Sequence, residues 1–383
     1  MPTFRIQDTS FEAPLTVGKD SLTIKSSPRP YQIDFLSHLP LTETIENAIA
    51  SAKHPIILAD RRVMETHLGK SAAIKKAPSL IAEATEDFKT MDGVLKLTAL
   101  MQGSNATRSS MLFAIGGGII QDVGAFASAM YKRGIPWTFV PTTLLAQSDS
   151  CLGGKAGINY HQTKNLLGLF SAPRRILIHT GFLATLAKED VLSGLGEIFR
   201  LCVTGGNAFL DHFEKLLPAA LTSDSAALTE VIEASLSAKR AVVEYDEFEL
   251  DLRRSMNLGH SIGHAFEAIT NYGIPHGIGV TVGILVESEI SHQRGLLNAD
   301  ERQRLLRLGA PLVPPRVRKI LANLRFDDIL ETLGRDKKTE GSTLKLVVVE
   351  SIGQIRFIDL ALEADTVSLL QKSVTQVLQA IGQ

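Results

Sequence analysis

Two cysteines in 383 residues, Cys151 and Cys202, are too few for a disulfide framework and suit a reducing cytoplasm. Charge of one sign is also missing. Forty basic residues against 41 acidic ones argue against a general nucleic-acid or membrane-surface binder, although local anion pockets remain open. No apolar run approaches the 18 residues that a membrane-spanning helix needs. The opening MPTFRIQDTSFEAPL has no basic segment followed by an apolar core, so no signal peptide is expected. Repeats and low-complexity tracts are absent. What remains is a chain 44% hydrophobic, long enough for large cores and for two domains.

The first 30 or so residues read as a short strand or arm. Alternating strands and helices follow: His54 to Asp60, a helix from Lys89 to Met101, Met111 to Ile115, a small-residue helix from Val123 to Met130, and Pro136 to Val140. This alternation predicts a parallel sheet with ligands at the carboxyl ends of its strands. From about Thr185 helical spacing dominates: Leu186 to Val203, Ala226 to Glu244, Leu258 to Ile269, Gly277 to Arg294 and Asp300 to Gly309. A hairpin, Leu344 to Val349 with Gln354 to Ile358, and a last helix, Asp365 to Ile381, complete the chain. The predicted organisation is an α/β, Rossmann-like domain over 1–184 and a mainly helical domain over 185–383.

The stretch MNLGHSIGHAFEAITNYGIPH, Met256 to His276, gathers three of the ten histidines. His260 and His264 stand at i, i+4 and share a helix face, and His276 follows on a loop. Two helical imidazoles and a third nearby form a workable divalent-metal set, with zinc the default for nitrogen ligands. The plainer reading is an amphipathic helix with hydrogen-bonded histidines. Gly116-Gly117-Gly118 after a strand suits a diphosphate at a helix N-terminus, or a tight turn. It is not GxGxxG, since Gln121 holds the third glycine position. Asp60, ending an earlier strand, is a candidate for ribose hydroxyls and Asp122 for a nicotinamide amide. Asp149, Gly153-Gly154-Lys155, Gly157, Asn159 and Lys164-Asn165 offer donors and close approach to a phosphorylated, hydroxylated molecule. The alternative is a solvated loop. Glu197 and Arg200, at i, i+3, are an internal ion pair or include an oxygen ligand. Lys239 lies on an apolar face, where snorkelling competes with a buried site lysine. Arg253 and Asn257 lie just before His260, one helical turn apart, and Asp336-Lys337-Lys338 reads as an exposed charge run.

Taken in order, GGGIIQD (116–122), YKRG (131–134), PTTLLAQSDSCLGGKAGIN (141–159), KNLLG (164–168), GLGE (194–197), DEFE (246–249), NLGHSIGHAFE (257–267), PHG (275–277) and RDKK (335–338) resemble the 3-dehydroquinate synthase family of sugar-phosphate cyclases. The resemblance implies an NAD-binding α/β domain, a mostly helical metal-binding domain, and an active site between them. It implies Glu197, His260 and His276 as ligands of zinc or cobalt, and moves His264 to the substrate-phosphate side. Lys155, Asn165, Asn257 and Lys337 match substrate contacts, several near the phosphate. Arg133 matches an arginine that reaches the phosphate across a homodimer interface. Lys239 and Arg253 match the pair near a substrate carboxylate, and Asp149 a residue at the hydroxyls being oxidised. Asp60, Glu86, Lys89, Gly116, Gly117, Gly118, Asp122, Thr142, Thr143, Phe182 and Thr185 match NAD contacts.

The implied activity is a lyase reaction of the shikimate route to aromatic amino acids, carried out in the cytoplasm. It turns 3-deoxy-arabino-heptulosonate 7-phosphate into 3-dehydroquinate and phosphate by transient oxidation, phosphate elimination, re-reduction and aldol closure. Departures bear on the substrate. Arg200 stands where the family usually has lysine, and guanidinium and ammonium are not interchangeable. Gln121, Ala156, Asp251, His179 and Gly181 also depart from the usual residues. A cyclase for sedoheptulose 7-phosphate or an amino analogue is the second reading. A metal-dependent polyol dehydrogenase and a non-catalytic relative are more remote.

Overall fold

A computed structural model of the chain describes residues 1–161, 163–335 and 343–382, with the side chain of Arg335 excepted. Its strands are β1 (Thr3–Ile6), β2 (Thr9–Glu12), β3 (Ser21–Ile24), β4 (Tyr31–Phe35), β5 (Pro55–Asp60), β6 (Ser79–Ala82) and β7 (Met111–Gly116). They continue as β8 (Trp137–Pro141), β9 (Lys155–Tyr160), β10 (Thr163–Phe170), β11 (Arg175–Ile178), β12 (Thr343–Ser351) and β13 (Gln354–Ala361). Two compact units form: Val17–Leu186 with Ser223–Glu233, and Met1–Thr16 with Ala187–Thr222 and Ala234–Gln383. Among the described residues no helix is long and apolar enough to cross a membrane.

The first unit is built on a seven-stranded sheet of order β3-β4-β11-β8-β7-β5-β6. Every neighbouring pair is parallel except β3 with β4. Ile56, Ile57, Leu58 and Ala59 of β5 are buried on both faces, as a sheet covered on both sides requires. From β5 the chain steps to β6 on one side, then crosses to β7 on the other. The sheet therefore has its switch point between β5 and β7, where α/β proteins hold ligands beyond the strand ends. Asp60 and Gly116 terminate those two strands, and Ala59 pairs with Ile115 just before them. The block around Gly157, for which a solvated loop was the alternative reading, forms the antiparallel hairpin β9–β10, with a register shift between Thr163 and Leu167.

The second unit is mainly helical, with a small sheet of order β12-β13-β1-β2. Here the reading of 1–184 as one domain is corrected for the first sixteen residues. β1 runs parallel to β13, and Phe4 stacks on Phe11 with ring centroids 5.1 Å apart, so the arm is buried in this unit's core. Three helices carry the site: Lys188–Gly205, His260–Ile269 and His276–Gln293. Their backbones meet at glycines. A Cβ on Gly196 would lie 2.1 Å from the Gly277 carbonyl oxygen, and one on Gly277 would lie 1.8 Å from that of Ser193. A Cβ on Gly283 would lie 1.9 Å from the Gly259 oxygen. No side chain fits between these segments.

Candidate metal and cofactor sites

The glycine contacts decide where three polar side chains fall. Glu197 follows Gly196, His260 follows Gly259 and His276 precedes Gly277, so each stands one residue from a backbone contact. Gly259 has φ +79°, which ends the 3-10 segment Leu252–Asn257 and starts the helix at His260 instead of at Leu258 as expected. His276 is also corrected: it opens the helix His276–Gln293 and is not a loop residue. Its neighbour Gly277 donates its N–H to Ser193 Oγ at 2.9 Å, which anchors that helix end.

Glu197 is fully buried, and its Oε1 lies 3.2 Å from His276 Nε2 and 3.8 Å from His260 Nε2. That oxygen accepts no well-aligned hydrogen bond. The other nitrogen of each imidazole is already committed: His276 Nδ1 faces Glu267 Oε1 at 2.9 Å and His260 Nδ1 faces the Leu258 carbonyl at 3.2 Å. In the neutral rings that a cation requires, each Nδ1 would carry the proton and each Nε2 would present its lone pair on the side of Glu197. The residues present fit a divalent cation. His264 joins the group, since ligand atoms of His260, His264 and His276 all lie within 4.8 Å of one another.

Charge in this pocket is set by Glu197, Arg200 and the histidines acting on one another. Burial holds His260 well below the usual histidine value, against the pull of Glu197. Burial also opposes a charged His276, but its close contacts with Glu197 and Glu267 outweigh it and raise that imidazole to about 10, so a cation bound at Nε2 would displace a proton. Burial would raise Glu197, yet Arg200, His276 and His260 hold it well below the carboxylate range. Arg200 Nε donates to Glu197 Oε2 at 2.6 Å.

In the other unit, the helix Gly118–Met130 begins directly after β7. A Cβ on Gly117 would lie 3.0 Å from Thr143 Cγ2, whereas one on Gly118 would meet nothing within 4 Å. A diphosphate can approach that helix N-terminus closely, so the cradle fits a dinucleotide. Asp60 Oδ1 accepts the Arg62 N–H at 3.0 Å, and burial raises its carboxyl. Asp122 engages Lys89 Nζ at 2.6 Å and the Gly157 N–H at 3.2 Å, while burial raises it. Glu86 receives Asn159 Nδ2 at 2.8 Å and Lys164 Nζ at 3.3 Å. Thr142 donates its N–H to the Gly116 carbonyl, tying the end of β8 to the glycine turn. Thr143 Oγ1 accepts from Ala146 N at 3.2 Å. Thr185 Oγ1 lies 2.8 Å from His67 Nε2, and Phe182 is a core residue edge-on to the same ring.

Comparison with known proteins bears on both sites. A profile of the 3-dehydroquinate synthase N-terminal region matches residues 79–193, and one of the C-terminal region matches residues 194–339. The chain belongs to the 3-dehydroquinate synthase family. It is 37% identical over 292 residues to the 3-dehydroquinate synthase of Azotobacter vinelandii, covering 75% of this chain and 78% of that one. With the Dichelobacter nodosus enzyme of that name it shares 31% over 358 residues, covering 92% and 96%. Among solved structures it resembles 2-deoxy-scyllo-inosose synthase complexed with carbaglucose-6-phosphate, NAD+ and Co2+, at TM-score 0.81 and 24% identity over 93% of this chain and 99% of that one. ValA, the 2-epi-5-epi-valiolone synthase of Streptomyces hygroscopicus subsp. jinggangensis, with NAD+ and Zn2+ bound, gives 0.78 at 24% over 93% and 98%. At that identity the structural likeness concerns the fold.

The remaining residues that the family resemblance singles out fall as follows. Lys155 is exposed on β9, and Asn165 on β10 has φ 52° and donates its N–H to Asn159 Oδ1 at 3.0 Å. A Cβ on Gly157 would come within 3.1 Å of Asn165, so the glycine makes room for that side chain. Asp149 lies in the short π-helical turn Ala146–Ser150. Arg133 is exposed, with φ 62° between Lys132 at 51° and Gly134 at 110°. Lys239 and Arg253 are buried, at 7% and 3% exposure, so snorkelling does not describe Lys239. Arg253 donates from Nη1 to the Glu247 carbonyl, and its N–H goes to Asp246 Oδ2 at 2.9 Å. Asn257 is half-buried. Lys337 lies outside the described residues. Two participants lie in the quoted stretches but were given no role there: Glu267, which orients His276, and Met256, whose sulfur lies 3.5 Å from Arg200 Nη1. Glu267 shares a helix face with His260 and His264, at i+7 and i+3, and that spacing was the available signal.

Proposed function

We propose that this chain converts 3-deoxy-arabino-heptulosonate 7-phosphate to 3-dehydroquinate and phosphate. The observation that carries the reading is Glu197 Oε1 beside two imidazole nitrogens at 3.2 and 3.8 Å, both rings held by hydrogen bonds on their far side. Glu197, His260 and His276 would hold a divalent cation, for which zinc suits the nitrogen-rich set and cobalt is accommodated. When bound, that cation supplies Lewis acidity toward two adjacent substrate hydroxyls, and NAD supplies a hydride acceptor.

The cofactor set is Asp60, Glu86, Lys89, Gly116, Gly117, Gly118, Asp122, Thr142, Thr143, Phe182 and Thr185, supported by the switch point between β5 and β7. Lys155, Asn165, Asn257, His264 and Lys337 bind the substrate, chiefly its phosphate. Arg133 reaches the phosphate of a second copy in a homodimer, a role supported by its exposure. Lys239 and Arg253 pair with the carboxylate, because buried cations are stable beside anions and acceptors. Asp149 hydrogen-bonds the hydroxyls at the oxidised carbon. The departing phosphate takes the neighbouring C–H proton itself, which leaves these cations free to hold it in place. With the hydride returned to the substrate, ring opening and intramolecular aldol closure would form the carbocycle.

Arg200 favours a second reading, a cyclase for a carboxylate-free sugar phosphate, because the family's usual lysine is replaced by a guanidinium held on Glu197. The test is phosphate release across a panel of heptulose phosphates with zinc and catalytic NAD. Release from the keto-acid substrate supports the first reading. Release only from sedoheptulose 7-phosphate or an amino analogue transfers the assignment to the second, and no release from any member overturns both.

A further inference from the structure

Arg200 departs from the family and sits at the centre of the metal group. Its guanidinium is buried, at 2% exposure, and so is the carboxylate it touches. Nε donates to Glu197 Oε2 at 2.6 Å, and Nη1 donates to Met256 Sδ at 3.5 Å. Oε1, the other oxygen, is the one beside His260 and His276. The two oxygens of one carboxylate thus face different partners. A guanidinium stays charged and presents its donors in a rigid plane, so it can hold Oε2 and the sulfur together. A lysine ammonium is a single point on a flexible stem. Met256 belongs to the segment Leu252–Asn257, which leads into Gly259 and His260. Arg200 therefore links one ligand helix to the approach of the next.

We propose that Arg200 is a positioning residue that makes Glu197 a one-oxygen ligand, keeping Oε2 out of the coordination sphere and leaving more of it to substrate oxygens. The proposal rests on the metal reading above and adds the denticity of its carboxylate. It also explains how the family's chemistry tolerates the exchange of lysine for arginine: the guanidinium acts on the ligand.

Two measurements test it without reference to turnover. In the zinc-loaded wild-type protein, a crystal structure should show Glu197 bound through Oε1 alone with Oε2 still on Arg200. Two-oxygen binding overturns the proposal. In the cobalt-loaded protein, Arg200→Gln should lower the visible absorption several-fold, because a freed second oxygen raises the coordination number. Arg200→Lys, which can still reach Oε2, should restore the wild-type spectrum. An Arg200→Gln spectrum identical to wild type overturns the proposal, and where that variant does not fold the wild-type structure decides. A wild-type protein with no cation at Glu197, His260 and His276 removes the metal reading itself, an outcome distinct from a cation held by both oxygens.

Discussion

At the scale of single residues, the hydrogen-bond partners of imidazoles decide what they can do. Glu267 holds Nδ1 of His276 and so aims Nε2. Glu267→Gln keeps the shape but weakens that hold, and zinc affinity measured by chelator competition should fall about 10- to 100-fold. His179 behaves differently. Its Nδ1 accepts the Gly181 N–H at 3.0 Å, its Nε2 faces the Leu39 carbonyl at 2.9 Å, and burial keeps it below the usual 6.5. The unfolded chain takes up a proton near that value, while the folded chain does so only at lower pH. Stability from this residue is complete above the unfolded value and is lost as pH falls from 6.5 toward the folded one, at no more than about 1.4 kcal/mol per pH unit. His179→Asn, which can still accept from Gly181, should flatten that part of the denaturation-midpoint profile. The sequence showed the ligand candidates Glu197, His260 and His276 through their motifs. It did not show the direction in which each ring nitrogen points, because that is set by a backbone carbonyl and by a carboxylate on another turn.

At the scale of elements, close approach governs. The helices that carry Glu197, His260 and His276 touch through Gly196, Gly259, Gly277 and Gly283. Gly277→Ala puts a methyl group 1.8 Å from the Ser193 oxygen, which can be relieved only by moving a helix. It should cost about 1–3 kcal/mol or more in chemical denaturation, and zinc binding should weaken even where the fold survives. Element types were largely legible: β5, β7, the long helices and the β12–β13 hairpin follow apolar periodicity. The β9–β10 hairpin was not, because β10 buries none of its residues and the glycines before and within β9 suit a phosphate-binding loop as well as a strand. The last ligand helix was legible to within one residue, since it was expected from Gly277 and begins at His276, just after Pro275.

For the molecule as a whole, the proposed cofactor-binding residues belong to one unit and the proposed cation ligands to the other. NAD ends the proposed cycle as it began. Phosphate released should therefore exceed NAD added by many turnovers, with no lasting NADH fluorescence. Chelation should stop release, and zinc or cobalt should restore it. Lasting NADH would mark a dehydrogenase and end the cyclase reading. The two-part organisation was legible from the change in periodicity near Thr185. The return of the first sixteen residues to the later part was not, since strand partners are chosen by tertiary contacts that short polar segments do not announce.

That return has a consequence for synthesis. Arg5 of β1 pairs in register with Gln354 of β13, so the opening strand leaves the ribosome long before its partner exists. At about 5–20 residues per second the interval is roughly 20–70 s. During it Phe4, Ile6 and Phe11 have no finished core to enter, and an apolar edge waits in the nascent chain. The half of the protein that would carry the cation can be completed only after translation has nearly ended.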